Sequence, residues 1–504
     1  MKLHQLFSYF GNLAPNTAAS AALEEEVTSI CFDTRQVKPG SVFVAIRGNE
    51  HDGHDFLADA ISSGAIALIV ENKSSVPEGF PHLVVEVADS REILDILATR
   101  FYNFPSQDLF CFGVTGTNGK TSITYILEHI LNFHRKRVAV MGTVNHRVGN
   151  KIWPNKGTTP DPVTLQERLR NFADEGAEAV AIEVTSHALD QKRAHSVHFN
   201  TVIFTNLTHD HLDYHKTMAN YFAAKQKLFT DLMWLTSKFP KFAVINIDDN
   251  YGRRLRVADE VIAWTYGQRE SDFQFKILKM NFTETEFEIK TALATHNVCL
   301  PVSGEHTIAN IVAGCVAALS AGISIEQSLQ ALKSFDGVPG RLQKVEAGSK
   351  RTVFVDYAHT PDALENVLQS LQKIRQSSKA DSKLICVFGC GGDRDKTKRP
   401  LMAEISARLS DFTIITSDNP RTEEPLQIIE DIKKGLPGNH GNSLVEVDRE
   451  QAIKKAIEIS KDDDVILIAG KGHEDYQIIG TEQKYFSDLE VAKKYLRMTE
   501  RNGK

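Results

Sequence analysis

The sequence predicts an α/β protein of three domains: a smaller N-terminal α/β domain, a central P-loop mononucleotide-binding sheet and a C-terminal Rossmann-like sheet. Three observations lead there. Apolar strand-like runs alternate with helix-like segments along most of the chain, the pattern of largely parallel sheets. The 504 residues exceed what one hydrophobic core usually serves. Glycine-rich or charged loops also recur at the ends of the apolar runs, where open α/β sheets bind their ligands.

Taken in order, the first unit reads VFVAI (42–46), a helical stretch over 55–64, ALIV (67–70), LVVEV (83–87) and a helix from Ser90 to Tyr102. The stretch NFPSQ (103–107) reads as a linker, which sets a first domain of 1–106. LFCFGVTGTNGKTS (109–122) opens the second unit as a buried strand running through a glycine-rich loop into a helix. VAVMG (138–142), AVAIEV (179–184), TVIFTN (201–206) and FAVINID (242–248) continue it. Alternating short strands over 261–302 predict an antiparallel patch added to that sheet, and two helices follow at about 305–321 and 325–335. GVPGR (337–341) punctuates the chain, so the central domain is expected over 107–337 and the last over 338–504. That last unit has strands TVFVDY, LICVFG, FTIITS, SLVEV and VILIAG with helices between them.

Composition narrows the class. With 42% hydrophobic and 24% charged residues the chain is ordinary globular protein. Lys+Arg is 58 and Asp+Glu 65, so the net charge of −7 offers no footprint for nucleic acid or an anionic membrane. No apolar run reaches the roughly 18 residues of a spanning helix, and Met1 to Ser20 does not read as a secretory signal. Six cysteines scattered through apolar runs read as reduced core residues. The expectation is a cytoplasmic, monomeric enzyme with no nucleic-acid or membrane partner.

The strongest local signal is Gly116-Thr117-Asn118-Gly119-Lys120-Thr121, followed by Ser122. Between a strand and a helix, such a loop lets backbone amides and the helix N-terminus cradle phosphates, with Lys120 on the β/γ-phosphates and the Thr121 hydroxyl toward Mg²⁺. Val114 occupies the position of the first glycine in the strict G-x-x-x-x-G-K-S/T spacing, and a plain glycine turn would give the same residues. Glu183 ends the strand AVAIEV, where a carboxylate can hold a nucleotide's metal or simply be solvated. TNLTHDHLDYH (205–215) also starts at a strand end and gathers His209, Asp210, His211, Asp213 and His215. Lys225 alone reads as an ordinary surface lysine of a helix, and Asp356 as either a ribose ligand or a strand-to-loop transition. Three loops of the last unit carry Arg394, Asp418-Asn419-Pro420-Arg421 and Gly470-Lys471-Gly472-His473-Glu474. Arg, Asp and Glu at three strand ends of one sheet are the residues for an amino acid bearing both ammonium and carboxylate groups.

With these motifs in this order over nearly the whole chain, the sequence resembles the Mur ligase family, ATP-dependent amino-acid-adding ligases of peptidoglycan precursor synthesis. Within the family the pattern is that of the ligase adding the third peptide residue. The resemblance implies ATP and Mg²⁺ as co-substrate and cofactor, and UDP-N-acetylmuramoyl-L-alanyl-D-glutamate and meso-diaminopimelate as substrates. It implies nucleotide contacts from residues 116–122, Asn310, Arg341 and Asp356. Thr121, Glu183, His211 and an ε-carboxylated Lys225 would hold metal, and Lys120, Glu183, His211 and Lys225 would carry catalysis. Phe32, Thr34, Gly157, Thr158, Thr159, Thr185, Gln191 and Arg193 would contact the UDP-muramoyl peptide. Arg394, Asp418, Asn419, Pro420, Arg421, Gly470 and Glu474 would bind diaminopimelate, the D-N-P-R run marking members that take it in place of L-lysine. An L-lysine-adding ligase and a folylpolyglutamate synthase-like ligase are the alternatives; the latter lacks a counterpart of residues 1–105.

Overall fold

In the computed structural model, which describes residues 1–8, 22–48, 51–155, 157–377, 382–438 and 442–502, the strands form three large sheets and one small hairpin. The first sheet is β1 (Ser29–Cys31), β2 (Ser41–Val44), β3 (Ala65–Val70) and β4 (Leu83–Glu86), parallel and in sequence order. Its strands are apolar throughout because both faces are covered: Val42, Val44 and Ile69 pack with Leu97, and Phe43 and Leu68 with Leu57 on the other side.

The central sheet has eleven strands. They are β5 (Phe110–Thr115), β6 (Val138–Met141), β7 (His146–Val148), β8 (Lys151–Trp153), β9 (Ala179–Glu183), β10 (Thr201–Phe204), β11 (Lys241–Asn246), β12 (Val261–Gly267), β13 (Phe273–Met280), β14 (Thr285–Lys290) and β15 (Thr295–Leu300). Their order is 15-14-13-12-11-10-5-9-6-7-8. The arrangement that matters for function is in the middle: β5 lies between β9 and β10, all parallel, with Val114 paired to Glu183 and to Ile203. The segments leaving these strands therefore emerge side by side. On one face the helices Lys120–Phe133 and Glu305–Ser320 bury Ile123, Leu127, Ile311 and Cys315 against Phe112 and Val114. The other face is covered by Pro162–Asp174 and Met218–Lys227.

Two expectations change here. The stretch over 261–302 is not wholly antiparallel: β12 runs parallel to β11 along six residues and overlaps β13 in parallel, leaving only β13–β15 antiparallel. Alternating burial fits a half-covered strand of either direction, so periodicity alone could not decide. The 103–107 stretch is also no loose linker, because Pro105 and Ser106 are buried and Ser106 Oγ accepts a hydrogen bond from His198 N (3.1 Å). The hairpin β7–β8 escaped the sequence reading, although its two-residue Gly149-Asn150 turn, with φ +54° at Gly149, is the kind of dipeptide that marks one.

The third sheet comprises β16 (Gln343–Lys344), β17 (Thr352–Asp356), β18 (Leu384–Phe388), β19 (Phe412–Ile415), β20 (Ser443–Val445) and β21 (Val465–Ala469), in the order 16-17-21-18-19-20. All but β16 are parallel. A separate hairpin, β22 (Tyr476–Ile479) and β23 (Glu482–Tyr485), lies beyond β21. Beneath the loops of this sheet Arg449 and Asp488 form a fully buried bidentate pair, 2.7 Å at both contacts. The same guanidinium donates to the carbonyls of Ser417 and Ala469, the residues that precede Asp418 and Gly470.

Removing one partner of such a pair strands the other charge in the core. Asp488→Ala should lower unfolding free energy by about 3–5 kcal/mol, measured by urea denaturation, whereas Arg449→Met with Asp488→Leu should cost less.

Candidate nucleotide and amino-acid site

The loop after β5 and the helix Lys120–Phe133 set the phosphate-binding geometry. Gly119 takes φ +88° at the helix N-cap, and a Cβ there would stand 2.4 Å from Asn310 Oδ1. Only glycine satisfies both the left-handed backbone and the close approach of Asn310. Asn118 N donates to Asn206 Oδ1 (2.9 Å) and Thr205 Oγ1 to Asn118 O (2.6 Å), so the segment after β10 braces the loop. Lys120 Nζ donates to Gly116 O (2.9 Å) and Thr117 O (2.8 Å). Burial pushes its pKa down.

Lys225 overturns its surface reading. It is 1% exposed, and its Nζ donates to the same Gly116 carbonyl at 2.9 Å, 4.7 Å from the Tyr221 ring centroid. Burial, helped by the nearby Lys120 charge, holds its amine well below the usual lysine range. Glu183 is equally buried; its two oxygens accept from Thr143 N and Thr143 Oγ1, both at 2.9 Å. His211, with φ +54°, faces the His187 ring at 4.9 Å between centroids; its side chain is 45% exposed, and the desolvation that remains pushes its imidazole down to about 4. Neutral imidazole is the form that ligates metal. His215 separates from this group: its Nε2 bonds Ser186 Oγ (2.9 Å) and its ring stacks on Tyr221, a packing role.

A cavity of about 870 Å³ lies between the central and third sheets, lined by Asn118, Gly119, Ser122, Asn310, Arg341 and Asp356 among others. Six of the ten residues that the resemblance gives to the nucleotide thus line one cavity, and Gly116, Thr117, Lys120 and Thr121 are not in its lining. Asp356 sends both oxygens to main-chain amides, Leu342 N at 2.5 Å and Ala358 N at 2.8 Å. Sequence reasoning missed Asp362, whose Oδ2 accepts from Asn118 Nδ2 (3.0 Å) and Thr208 Oγ1 (2.9 Å), joining the third unit to the phosphate loop.

Thr159, Thr185, Gln191 and Arg193 also come together. Thr159 Oγ1 donates to Glu183 O (2.7 Å) and approaches Thr185 Oγ1 (3.3 Å), while Arg193 donates to Thr159 O (3.1 Å) and Gln191 Oε1 (2.9 Å). Thr158 meets Thr143 Oγ1 at 3.0 Å, and Gly157 is exposed with open space around it. Phe32 packs on the first core and Thr34 starts a short 3₁₀ turn, so both lie in the connection between β1 and β2 of the first unit.

The third cluster gathers Asp418, Asn419, Glu474 and Lys471, a residue given no role from sequence. Asn419 Nδ2 donates to Glu474 Oε2 (2.9 Å), and Lys471 Nζ donates to Asn419 Oδ1 (2.9 Å). Burial, with Asp418 beside it, pushes Glu474 up. Gly470 takes φ +119°. Arg421, at φ +52°, donates to Gly392 O (2.7 Å) and pairs its backbone with β22, while Arg394 is exposed and donates to Asp393 O. Pro420 is buried beside them. The two clusters connect through side chains: Arg341 Nη2 donates to Thr121 Oγ1 (3.3 Å), its guanidinium lies 4.7 Å from the Tyr357 ring centroid, and Tyr357 OH donates to Glu474 Oε1 (3.5 Å).

Comparison with known proteins agrees with this layout. Residues 26–102 match the description "Mur ligase family, catalytic domain", 114–318 "Mur ligase middle domain" and 340–472 "Mur ligase, glutamate ligase domain". The UDP-N-acetylmuramoyl-L-alanyl-D-glutamate–2,6-diaminopimelate ligase of Bacillus cereus is 40% identical over 495 residues, covering 98% of each chain. The Geobacillus kaustophilus protein of that name is 42% identical over 470 residues, covering 93% of this chain and 94% of its own. A solved structure of a ligase of that name superposes with a TM-score of 0.70 at 30% identity over 99% of both chains. The MurF ligase of Thermotoga maritima in complex with ADP shares the fold at TM-score 0.61, with 18% identity over 95% of this chain and 99% of that one. Fold and site together define an ATP-dependent ligase that forms amide bonds. The chain belongs to the Mur ligase family.

Gly119→Ala forces a side chain into the left-handed region and against Asn310. It should raise the KM for ATP roughly ten-fold or more while the circular dichroism spectrum stays unchanged.

Proposed function

We propose that this protein joins meso-diaminopimelate to UDP-N-acetylmuramoyl-L-alanyl-D-glutamate with cleavage of ATP to ADP and phosphate, in peptidoglycan precursor synthesis. One observation carries the reading: the Thr121–Arg341–Tyr357–Glu474 chain of contacts links a phosphate loop on one sheet to a mixed-charge pocket on another. Each end suits one substrate, and the bond is made between them. The working division is 1–106 for the UDP-substrate unit, 107–337 for the ATP unit and 338–504 for the amino-acid unit. The three sheets, with no strand shared between them, support it.

ATP phosphates would replace the Gly116 and Thr117 carbonyls as partners of Lys120. The terminal D-glutamyl carboxylate attacks the γ-phosphorus, and the bond to the β,γ-bridging oxygen breaks as ADP leaves. Lys120 and the loop amides stabilise the charge spread over the transferring phosphoryl group. The resulting acyl phosphate is attacked by the neutral amine of the incoming amino acid, whose proton is lost as inorganic phosphate departs. Thr159, Thr185, Gln191 and Arg193 would orient the muramoyl peptide.

The donors at the phosphate loop fit Mg²⁺. Thr121 and Glu183 offer hard oxygens, the Glu183 carboxylate accepts hydrogen bonds from Thr143 alone among the described residues, and a cation that keeps water and phosphate ligands needs few protein ligands. His211 and a carboxylated Lys225 would complete the set. Bound there, Mg²⁺ would neutralise phosphate charge. The buried Lys225 amine, whose pKa burial holds well below the usual lysine range, suits carboxylation: its nitrogen lone pair attacks CO₂ and it loses one proton, leaving a carbamate anion.

Purified protein should release ADP only when UDP-muramoyl dipeptide and diaminopimelate are both present. Release that needs neither would point to a nucleotide-driven switch instead. Lys120→Ala should reduce turnover on the order of 100-fold with the fold retained. Lys225→Ala should be inactive and regain part of its rate with short-chain carboxylic acids; full activity without them would remove the carbamate. Arg421 can pair in bidentate fashion with the distal carboxylate that L-lysine lacks. Such a pair contributes roughly 1.5–3 kcal/mol, about a 10- to 150-fold preference, which Arg421→Ala should erase in parallel assays on the two amino acids.

A further inference from the structure

Lys471 is the most deeply buried cation of the third unit's binding loops, with 0% exposure. It has no access to solvent and no role in any step above. Its ammonium donates to Asn419 Oδ1 at 2.9 Å and stands 3.5 Å from both Asp418 Oδ1 and Glu474 Oε2. The ring of Tyr476 lies 5.6 Å away. Asn419 is fixed from three sides, since its Oδ1 also accepts from Ile478 N (3.0 Å) and its Nδ2 donates to Glu474 Oε2 (2.9 Å). Two carboxylates within 3.5 Å of one ammonium, Asp418 buried and Glu474 half-buried, would ordinarily repel until one took a proton. The charges of the trio sum to −1 when all are ionised, which matches a single incoming ammonium. Without Lys471 the same space would hold two unbalanced carboxylates or one carboxylate and one neutral acid.

We infer that Lys471 is a positioning residue for amino-acid recognition: an internal counter-cation that holds Asn419 and lets Glu474 stay ionised to receive a substrate ammonium. The inference rests on the amino-acid site proposed above. Glu474 is surrounded by Lys471, Asp418, Asn419, Tyr357, Tyr476 and, from below, Arg449. Burial and Asp418 raise its pKa, while Lys471, by charge and hydrogen bond, and Asn419, by hydrogen bond, lower it. Loss of Lys471 therefore moves Glu474 further up. Below the raised value the side chain is a neutral acid that cannot pair with an ammonium; above it, the carboxylate and the binding return.

The test is the KM for diaminopimelate in Lys471→Met and in Lys471→Gln, which keeps a donor toward Asn419 but no charge, across pH 6.5 to about 9. Both variants should raise that KM roughly ten-fold or more near neutrality, with the excess shrinking as pH rises and the KM for ATP unchanged. Lys471→Arg should restore most of the affinity. A KM for diaminopimelate equal to that of the parent, or a uniform loss that includes ATP and ignores pH, would overturn the assignment. Should Lys471→Met not fold, Lys471→Gln and Lys471→Arg still decide it. If the parent protein itself fails to use diaminopimelate, the amino-acid site reading falls, and this inference with it; a parent that ligates normally isolates the question to Lys471.

Discussion

One backbone carbonyl organises the catalytic end of this protein. Gly116 O accepts from Lys120 Nζ and from Lys225 Nζ, both at 2.9 Å, so two lysines share a single acceptor in the interior. Two ammonium groups cannot sit so close in a desolvated space without an anion between or beside them. The pair is tolerable because Lys225 is pushed toward its neutral form, and it becomes favourable once negative charge enters. Phosphate on one side and a carbamate on the other would each supply it. β9, β5 and β10 deliver Glu183, the glycine-rich loop and the His211 segment to adjoining positions, and helices cover both faces of the sheet.

The same logic, inverted in sign, governs the third sheet. There two acids share one buried ammonium, with Asn419 as the hydrogen-bonding spacer. Both clusters lie at strand C-termini, and each gathers ionisable side chains of one predominant sign. Arg341 and Tyr357 connect them, which puts the two half-sites on a common frame.

Much of this was legible in the chain. The order of strands and helices followed from apolar periodicity, and the Gly-Thr-Asn-Gly-Lys-Thr loop lies where that reading put it, between a buried strand and a helix N-terminus. Lys225 was not legible by pattern, since a lysine in a helix reads as surface unless its partner 109 residues away is known. Family resemblance supplied it. Asp362 and Lys471 were invisible for the same reason: their significance lies in contacts across sheets and between loops. The direction of β12 was lost because alternating burial does not encode whether a neighbour runs parallel, and His215 looked like a ligand only until Ser186 and Tyr221 occupied it.

The carboxylate of Asp362 has an implication for thermodynamics rather than chemistry. It is held jointly by Asn118, inside the phosphate loop, and by Thr208, at the end of β10, while itself riding on the helix Pro361–Ser377. Where nucleotide binding changes the free energy of that contact, the seating of the helix changes nucleotide affinity by the same amount, because linked equilibria are reciprocal. Asp362 Oδ2 is thus one contact, beside Arg341–Thr121 and Lys373–Glu305, through which the third and central units are joined.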